Sequence, residues 1–241
     1  MADQGGRATN AGGAARGYDS LMPTLTDVDI WPLLGATISV SDIELSAIDD
    51  RTALDLGRLA ARGIHGMTLP FSTPWSRGTD LEVARNLYRH HSHLRAALKP
   101  ESWSLEFAAR LDHTLIGVQS LEAKDFATTR SAASGSWLGR DWQGRGIGTL
   151  LRVAILTFAF EGLGADEVTT SAWFDNAASN AVTRKLGYAP NGEEVHDREG
   201  VAAVLKHYRL DRATWEARPA EFRPHVQMEG LEPVRSWLGL S

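Results

Sequence analysis

Residues 135–151 read GSWLGRDWQGRGIGTLL. Glycine takes every second place from Gly144 to Gly148, where a strand or a helix would want side chains to pack. Just upstream, SGSWLG at 134–139 has strand character. Downstream, Ile147, Leu150, Leu151, Ala154, Ile155 and Phe158 keep the i, i+3, i+4, i+7 spacing of a helix with one buried face. Glycines between a strand and a helix leave several amide N–H groups free, and the helix start adds roughly half a positive charge. Such a turn suits a phosphate group.

Three phosphate-binding patterns compete for this segment. A mononucleotide-binding loop needs Lys-Ser or Lys-Thr after its second glycine, and Gly148 is followed by Thr149 with no lysine. The dinucleotide fingerprint would start at Gly144 and Gly146 but meets Thr149 where its third glycine belongs. The third pattern, Q/R-x-x-G-x-G/A, is a pyrophosphate turn and is met by Gln143, Gly146 and Gly148.

Working outward, alternation at 42–48 (DIELSAI) predicts a strand, and Asp49 or Asp50 can cap a helix over 51–62 that Gly63 ends. Residues 65–80 form a Pro/Gly/Ser-rich loop carrying Phe71 and Trp75, read as a flap over a pocket. Thr79 or Asp80 caps a second helix to about Leu98. WSLEFAARL, TLIGVQSLEA and SGSWLG then read as a meander, with Asp112–His113 as the first tight turn. After the helix that follows the glycine turn, EVTTSAW at 167–173 is a strand. Residues 176–186 are a helix capped by Asn176, Gly187 closes it, and two strands complete the order.

The whole composition narrows the function. The chain has 241 residues, a net charge of −5 and no cysteine. The charge argues against nucleic-acid binding, and the lack of cysteine excludes thiol catalysis and cysteine-ligated zinc. No apolar run is long enough to span a membrane, so the expected setting is cytoplasmic with no membrane partner. Residues 1–20 read as a disordered tail, 21–211 as the folded domain, and 212–241 as an extension packing on the core or on a neighbouring subunit in a homo-oligomer.

The pyrophosphate turn together with N-x-x-S-x-x-x-x-x-K-L-G-Y at 176–188 resembles the GNAT family of acyl-CoA-dependent N-acyltransferases, in its RimJ/RimL-like branch. The resemblance covers residues 42–210 in element order. It implies an α/β (α+β) fold, a mixed and mostly antiparallel sheet of about seven strands flanked by about four helices, splayed between the fourth and fifth strands. Acetyl-CoA is the implied co-substrate, with no metal and with a protein or small-molecule amine as acceptor. A narrower likeness of residues 70–77 and 124–139 to a mycobacterial member implies succinyl-CoA as the alternative, with Arg77, Arg110 or Arg130 for its carboxylate.

By the same resemblance, the backbone of Trp137, Leu138 and Gly139 meets pantetheine, and an N–H near Leu138 stabilises the oxyanion. Gln143, Gly144, Arg145, Gly146, Ile147, Gly148 and Thr149 hold the pyrophosphate. Asn176, Ser179 and Lys185 complete the cofactor side, and Ser179 is the implied general acid, with Thr183 four residues on. The branch often carries a glutamate where this chain has Ala133. Glu106, Glu122 and Asp125 are nearby carboxylates, none of them assigned as base, and the same gap motivates a second reading as a catalytically weak acyl-CoA sensor. YRHHSHLR at 88–95 brings histidines, of which His90 and His93 share a helix face, a solvated face rather than a metal site.

Overall fold

The computed structural model describes residues 24–240, so the expected tail over 1–20 lies outside the described residues. The chain runs α1 (Asp27–Ile30), a 3₁₀ turn (Pro32–Gly35), β1 (Thr37–Val40), β2 (Ile43–Ala47), α2 (Asp50–Ala61) and α3 (Asp80–Ala97). It continues through β3 (Ser102–Leu111), β4 (Thr114–Lys124), α4 (Phe126–Thr129), β5 (Ser131–Leu138), α5 (Ile147–Thr157) and β6 (Glu167–Trp173). It closes with α6 (Ala177–Lys185), β7 (Ala189–Arg198), β8 (Val201–Asp211), α7 (Arg212–Glu216), β9 (Val226–Glu229) and α8 (Leu231–Trp237). Local chemistry accounts for the boundaries. Asp49 caps α2 through the Thr52 amide, and Thr79 with Glu82 forms a capping box on α3. Asp112 and His113 both take positive φ, as the two-residue turn of the β3–β4 hairpin requires.

Nine strands form one sheet in the order β7-β8-β6-β5-β4-β3-β2-β1-β9, antiparallel throughout except for β5 against β6. The expected count of about seven therefore needs correcting. β1 comes from the Pro-interrupted stretch before residue 42, and β9 comes from the segment after Asp211. Among the described residues, four α-helices of nine residues or more flank the sheet, and four shorter ones accompany them. The splay lies between the strands of SGSWLG and EVTTSAW, counted fourth and fifth in the sequence and numbered β5 and β6 here because β1 adds one strand ahead of them.

The two faces are built differently. Phe107, Ile116 and Leu121 pack with Leu151, Ile155 and Phe158 on the α5 side. Ala108 and Val118 pack under Leu56, Leu59, Val83 and Leu87 of α2 and α3. Residues 212–240 join the first core: Trp215 stacks on Phe160 at 5.4 Å, and Val234, Leu238 and Leu240 are buried. Gly164, in the left-handed region, ends a π-helical extension of α5 over Phe158–Leu163.

Candidate active site

The sheet opens where a ligand could enter it. β5 and β6 pair only at Ser131–Ala133 against Glu167–Thr169, although β5 runs on to Leu138 and β6 to Trp173. The Thr170 hydroxyl donates to the Ser134 carbonyl at 3.0 Å and closes the apex of the gap. On its other side β5 stays laddered to β4, Gly117 facing Leu138 and the Gly139 N–H donating to Ile116 O at 2.8 Å. A Cβ on Gly117 would lie 2.1 Å from the Trp137 carbonyl, so glycine is required there. The alternation of an antiparallel ladder turns the backbone of Trp137 toward β4, and that of Ser136 and Leu138 toward the gap. Of the three residues expected to meet pantetheine, Leu138 alone aims its N–H into the opening, and Ser136 joins it.

The glycine turn caps the same opening. Gly144 and Gly146 have φ of +72° and +80°, and Gly146 is the N-cap of α5 with no side-chain cap and no acid in the first turn. A Cβ at Gly144, Gly146 or Gly148 would meet nothing within 4 Å, so these glycines face open space. Among the described residues, the amides of 144–148 find no acceptor outside the helix. The predicted cradle is trimmed at both ends: Gln143 N–H donates to Arg140 O, and Thr149 N–H to Gly146 O. Gln143 has another task. Its Nε2 donates to Ile64 O at 2.6 Å and to Leu138 O at 2.8 Å, tying the α2–α3 loop to the end of β5. Arg145 lies over the Trp142 ring at 5.2 Å, beside the turn.

α6 starts where β6 ends. Asn176 Oδ1 accepts the Ser179 amide at 3.2 Å, as a helix cap should. Ser179 is half-buried, and its hydroxyl has no hydrogen-bond partner among the described residues. Thr183 is fully buried and donates to Ser179 O at 2.9 Å, so it is not available as a proton donor. Lys185 sits in the last turn of α6, at the end away from the Asn176 cap. Sequence reasoning missed Asn180, whose Nδ2 donates to the carbonyls of Trp173 and Asn176, and whose Oδ1 accepts from Tyr208 OH at 2.7 Å. That buried network fixes α6 on the end of β6, and nothing in N-x-x-S-N announces a tyrosine on another strand.

The α2–α3 side of the sheet carries a groove beside the gap. Phe71, Trp75 and Trp137 pack in series with tilted rings, their centroids 4.9 and 5.9 Å apart, which places the predicted flap over the end of β5. The loop is bound across the groove by Trp173 Nε1 to Phe71 O (3.1 Å), by Arg198 to Leu69 O, and by Arg77 to Glu199 (2.7 Å). A cavity of about 690 Å³ lies near the apex, lined by His93, Leu94, Trp103, Glu122, Lys124 and Ala133 among others. The arginines proposed for a succinyl carboxylate are occupied elsewhere. Arg77 pairs with Glu199, Arg110 bonds Ser46 and Thr52, and Arg130 lies over Phe126.

The three carboxylates now separate. Burial alone would raise Glu106, but His90 at 3.0 Å and His91 at 2.6 Å outweigh it and lower its carboxyl to about 2. Those three residues are the one group of three potential metal ligands among the described residues, and Glu106 already holds both rings. His93 is not part of this group; it lines the cavity instead. Asp125 starts α4 in a left-handed conformation. Glu122 is the cross-strand partner of Ala133, and burial, then the charge of Glu106, pushes its carboxyl up.

Comparison with known proteins agrees with this geometry. The model of the acetyltransferase (GNAT) domain matches residues 48–189. A candidate ribosomal N-acetyltransferase of Bacillus subtilis (strain 168), YdaF, is 30% identical over 114 residues, 46% of this chain. The match spans 62% of that relative's length. Among solved structures, the RimL ribosomal L7/L12 alpha-N-protein acetyltransferase in complex with coenzyme A aligns with TM-score 0.60 at 21% identity, covering 73% of this chain and 97% of that one. RimJ of Mycobacterium smegmatis aligns with TM-score 0.63 at 17% identity, covering 85% and 95%. At these identities the structural likenesses speak to the fold.

Proposed function

The chain belongs to the acetyltransferase (GNAT) family, and on that premise we propose that it moves an acetyl or other short acyl group from coenzyme A to a primary amine. The N-terminal amine of a ribosomal protein is the acceptor class that the named relatives favour. The observation carrying this reading is the open edge of β5 ending against an uncapped helix start whose glycines face empty space. Free amides and a helix N-terminus fit a pyrophosphate, and an unpaired strand edge fits the amide-bearing pantetheine arm.

The residues of this chain divide the work. The amides of 144–148 and Arg145 would hold the phosphates, and Gln143 keeps the end of β5 in place. The Leu138 and Ser136 N–H groups, turned into the gap, would stabilise the charge that develops on the thioester oxygen as the amine adds to the carbonyl. Ser179, with its hydroxyl unengaged, is placed to pass a proton toward the departing sulfur, directly or through one water. The flap of Phe71 and Trp75 walls the groove through which the amine arrives. Direct transfer in a ternary complex is the chemistry that family membership implies, and the absence of cysteine agrees with it.

Thiol release from acetyl-, propionyl- and succinyl-CoA, with alanine-first and serine-first peptides as acceptors, tests this reading. Thiol release that depends on the amine is expected. Tight coenzyme A binding with no thiol released by any pair would replace the transferase with a binding module.

A further inference from the structure

Ser171 lies one residue past the apex of the gap, where β5 and β6 begin to part. Carrying the β5–β6 register two residues past Thr169 sets it opposite Gly135, on the face where Glu122, Ala133 and Trp137 also point. Gly135 offers no side chain, and the Ser171 hydroxyl opposite it is exposed. Ser171 pairs with His207 across β6 and β8, and its Oγ lies 2.8 Å from His207 Nδ1. The other ring nitrogen, Nε2, is buried without a hydrogen-bond partner among the described residues, and Glu194 Oε2 stands 3.6 Å away. An exposed hydroxyl, a ring behind it and a carboxylate behind the ring thus form a line across three strands.

We propose that this line is the proton outlet of the transferase: Ser171 contacts the incoming amine, and His207, positioned by Glu194, takes up its proton. The proposal rests on the acyltransferase reading. With a proton on Nε2 facing Glu194, Nδ1 is left as the acceptor for the Ser171 hydroxyl. An ammonium N–H bond breaks as its proton passes to Ser171 Oγ, and the proton already on Oγ moves to Nδ1. The ammonium becomes a neutral amine and the imidazole an imidazolium whose charge faces Glu194. The amine lone pair then forms the C–N bond, the C–S bond breaks, and the second proton shed by nitrogen goes to the thiolate. The imidazolium returns its proton to solvent through the groove.

Other charges surround the line without replacing it. Glu194 also meets His196 Nε2 at 2.9 Å on β7, and Arg209, next on the same face of β8, is paired with Glu167 at 3.4 Å. Glu106 is committed to α3, and Glu122 stands on the far side of Gly135.

The test is the pH profile of thiol release from acetyl-CoA by the full chain. The acceptors are alanine-first and serine-first peptides, free lysine and a polyamine; coenzyme A affinity is read by calorimetry. His207→Gln and Ser171→Ala are each expected to lower the rate below pH 7 by about 10²-fold, the scale of general-base assistance, with coenzyme A affinity unchanged. In both variants the rate then follows the neutral fraction of the amine and recovers as pH passes the range where an N-terminal amine deprotonates by itself, about 8. Ser171→Ala removes one exposed oxygen and keeps the test open should the histidine variant fold poorly. The relay is overturned if either folded variant keeps the wild-type rate at every pH, or if Glu122→Gln shows the loss below pH 7 and His207→Gln does not. A wild-type chain that binds coenzyme A and acylates none of the amines overturns the parent reading, and the relay with it.

Discussion

At Gly148 the demands of the helix and of the ligand point in opposite directions, which makes it an informative residue to change. Its φ lies outside the left-handed region and a Cβ there meets nothing within 4 Å, so Gly148→Glu fits without strain. A carboxylate in the first turn of α5 favours the helix by about 0.3–1 kcal/mol while it repels a pyrophosphate. Thermal stability is therefore expected to hold or rise, and coenzyme A affinity to fall by more than about 10²-fold, a loss that calorimetry reads directly. Ser179→Ala is expected to slow thiol release by about 10²-fold with coenzyme A affinity unchanged, as the loss of a proton donor would. The glycine turn was legible in the sequence because its spacing serves the backbone, and backbone needs show locally. The task of Gln143 was not, because its partner Ile64 lies 79 residues away in the chain. Ser171 and His207 stayed hidden for the same reason: their pairing exists only in the β6–β8 register.

At the scale of elements, α3 is held to β3 by His90 and His91 against Glu106, and the hold depends on pH. Glu106 is ionised in the fold down to about 2 against an ordinary 4.5, so its stabilisation is complete above 4.5 and is lost as pH falls toward about 2. His90 is raised from an ordinary 6.5, chiefly by its hydrogen bond to Glu106, so its share is complete below 6.5 and is lost as pH rises through the folded value. The contribution is whole between 4.5 and 6.5. Thermal melting followed across pH should show wild type gaining over Glu106→Gln inside that window, with the gap closing on both sides. Parallel curves at every pH would remove this pair from the account. Element existence was legible from β2 to β8, where caps and periodicity agree, except for the four-residue α4, which is too short to carry a period. β1 and β9 were not, because four-residue strands carry too little pattern to separate from loop, and each is defined only by its partners.

Over the whole molecule, the segment after Asp211 completes the fold: β9 covers the edge of β1, and Trp215 reaches the core between Phe160 and Arg218. Trp215→Ala should cost about 3–5 kcal/mol, as the loss of a fully buried aromatic does, and denaturant unfolding measures it. The aromatic content of this segment showed in the sequence that it packs somewhere, while its place on the edge of the sheet depended on a partner strand nearly 190 residues earlier. The catalytic reading joins the same scales, since the gap between β5 and β6, the glycine turn and the groove face one another only in the assembled sheet. Its most direct test is acetyl-CoA carrying an isotope-labelled acetyl group, incubated with the chain and an alanine-first or serine-first peptide and followed by mass spectrometry. The expected result is the label on the peptide's N-terminal amine together with an equal amount of free thiol. Thiol appearing without labelled amine, or coenzyme A bound with neither product formed, would contradict it.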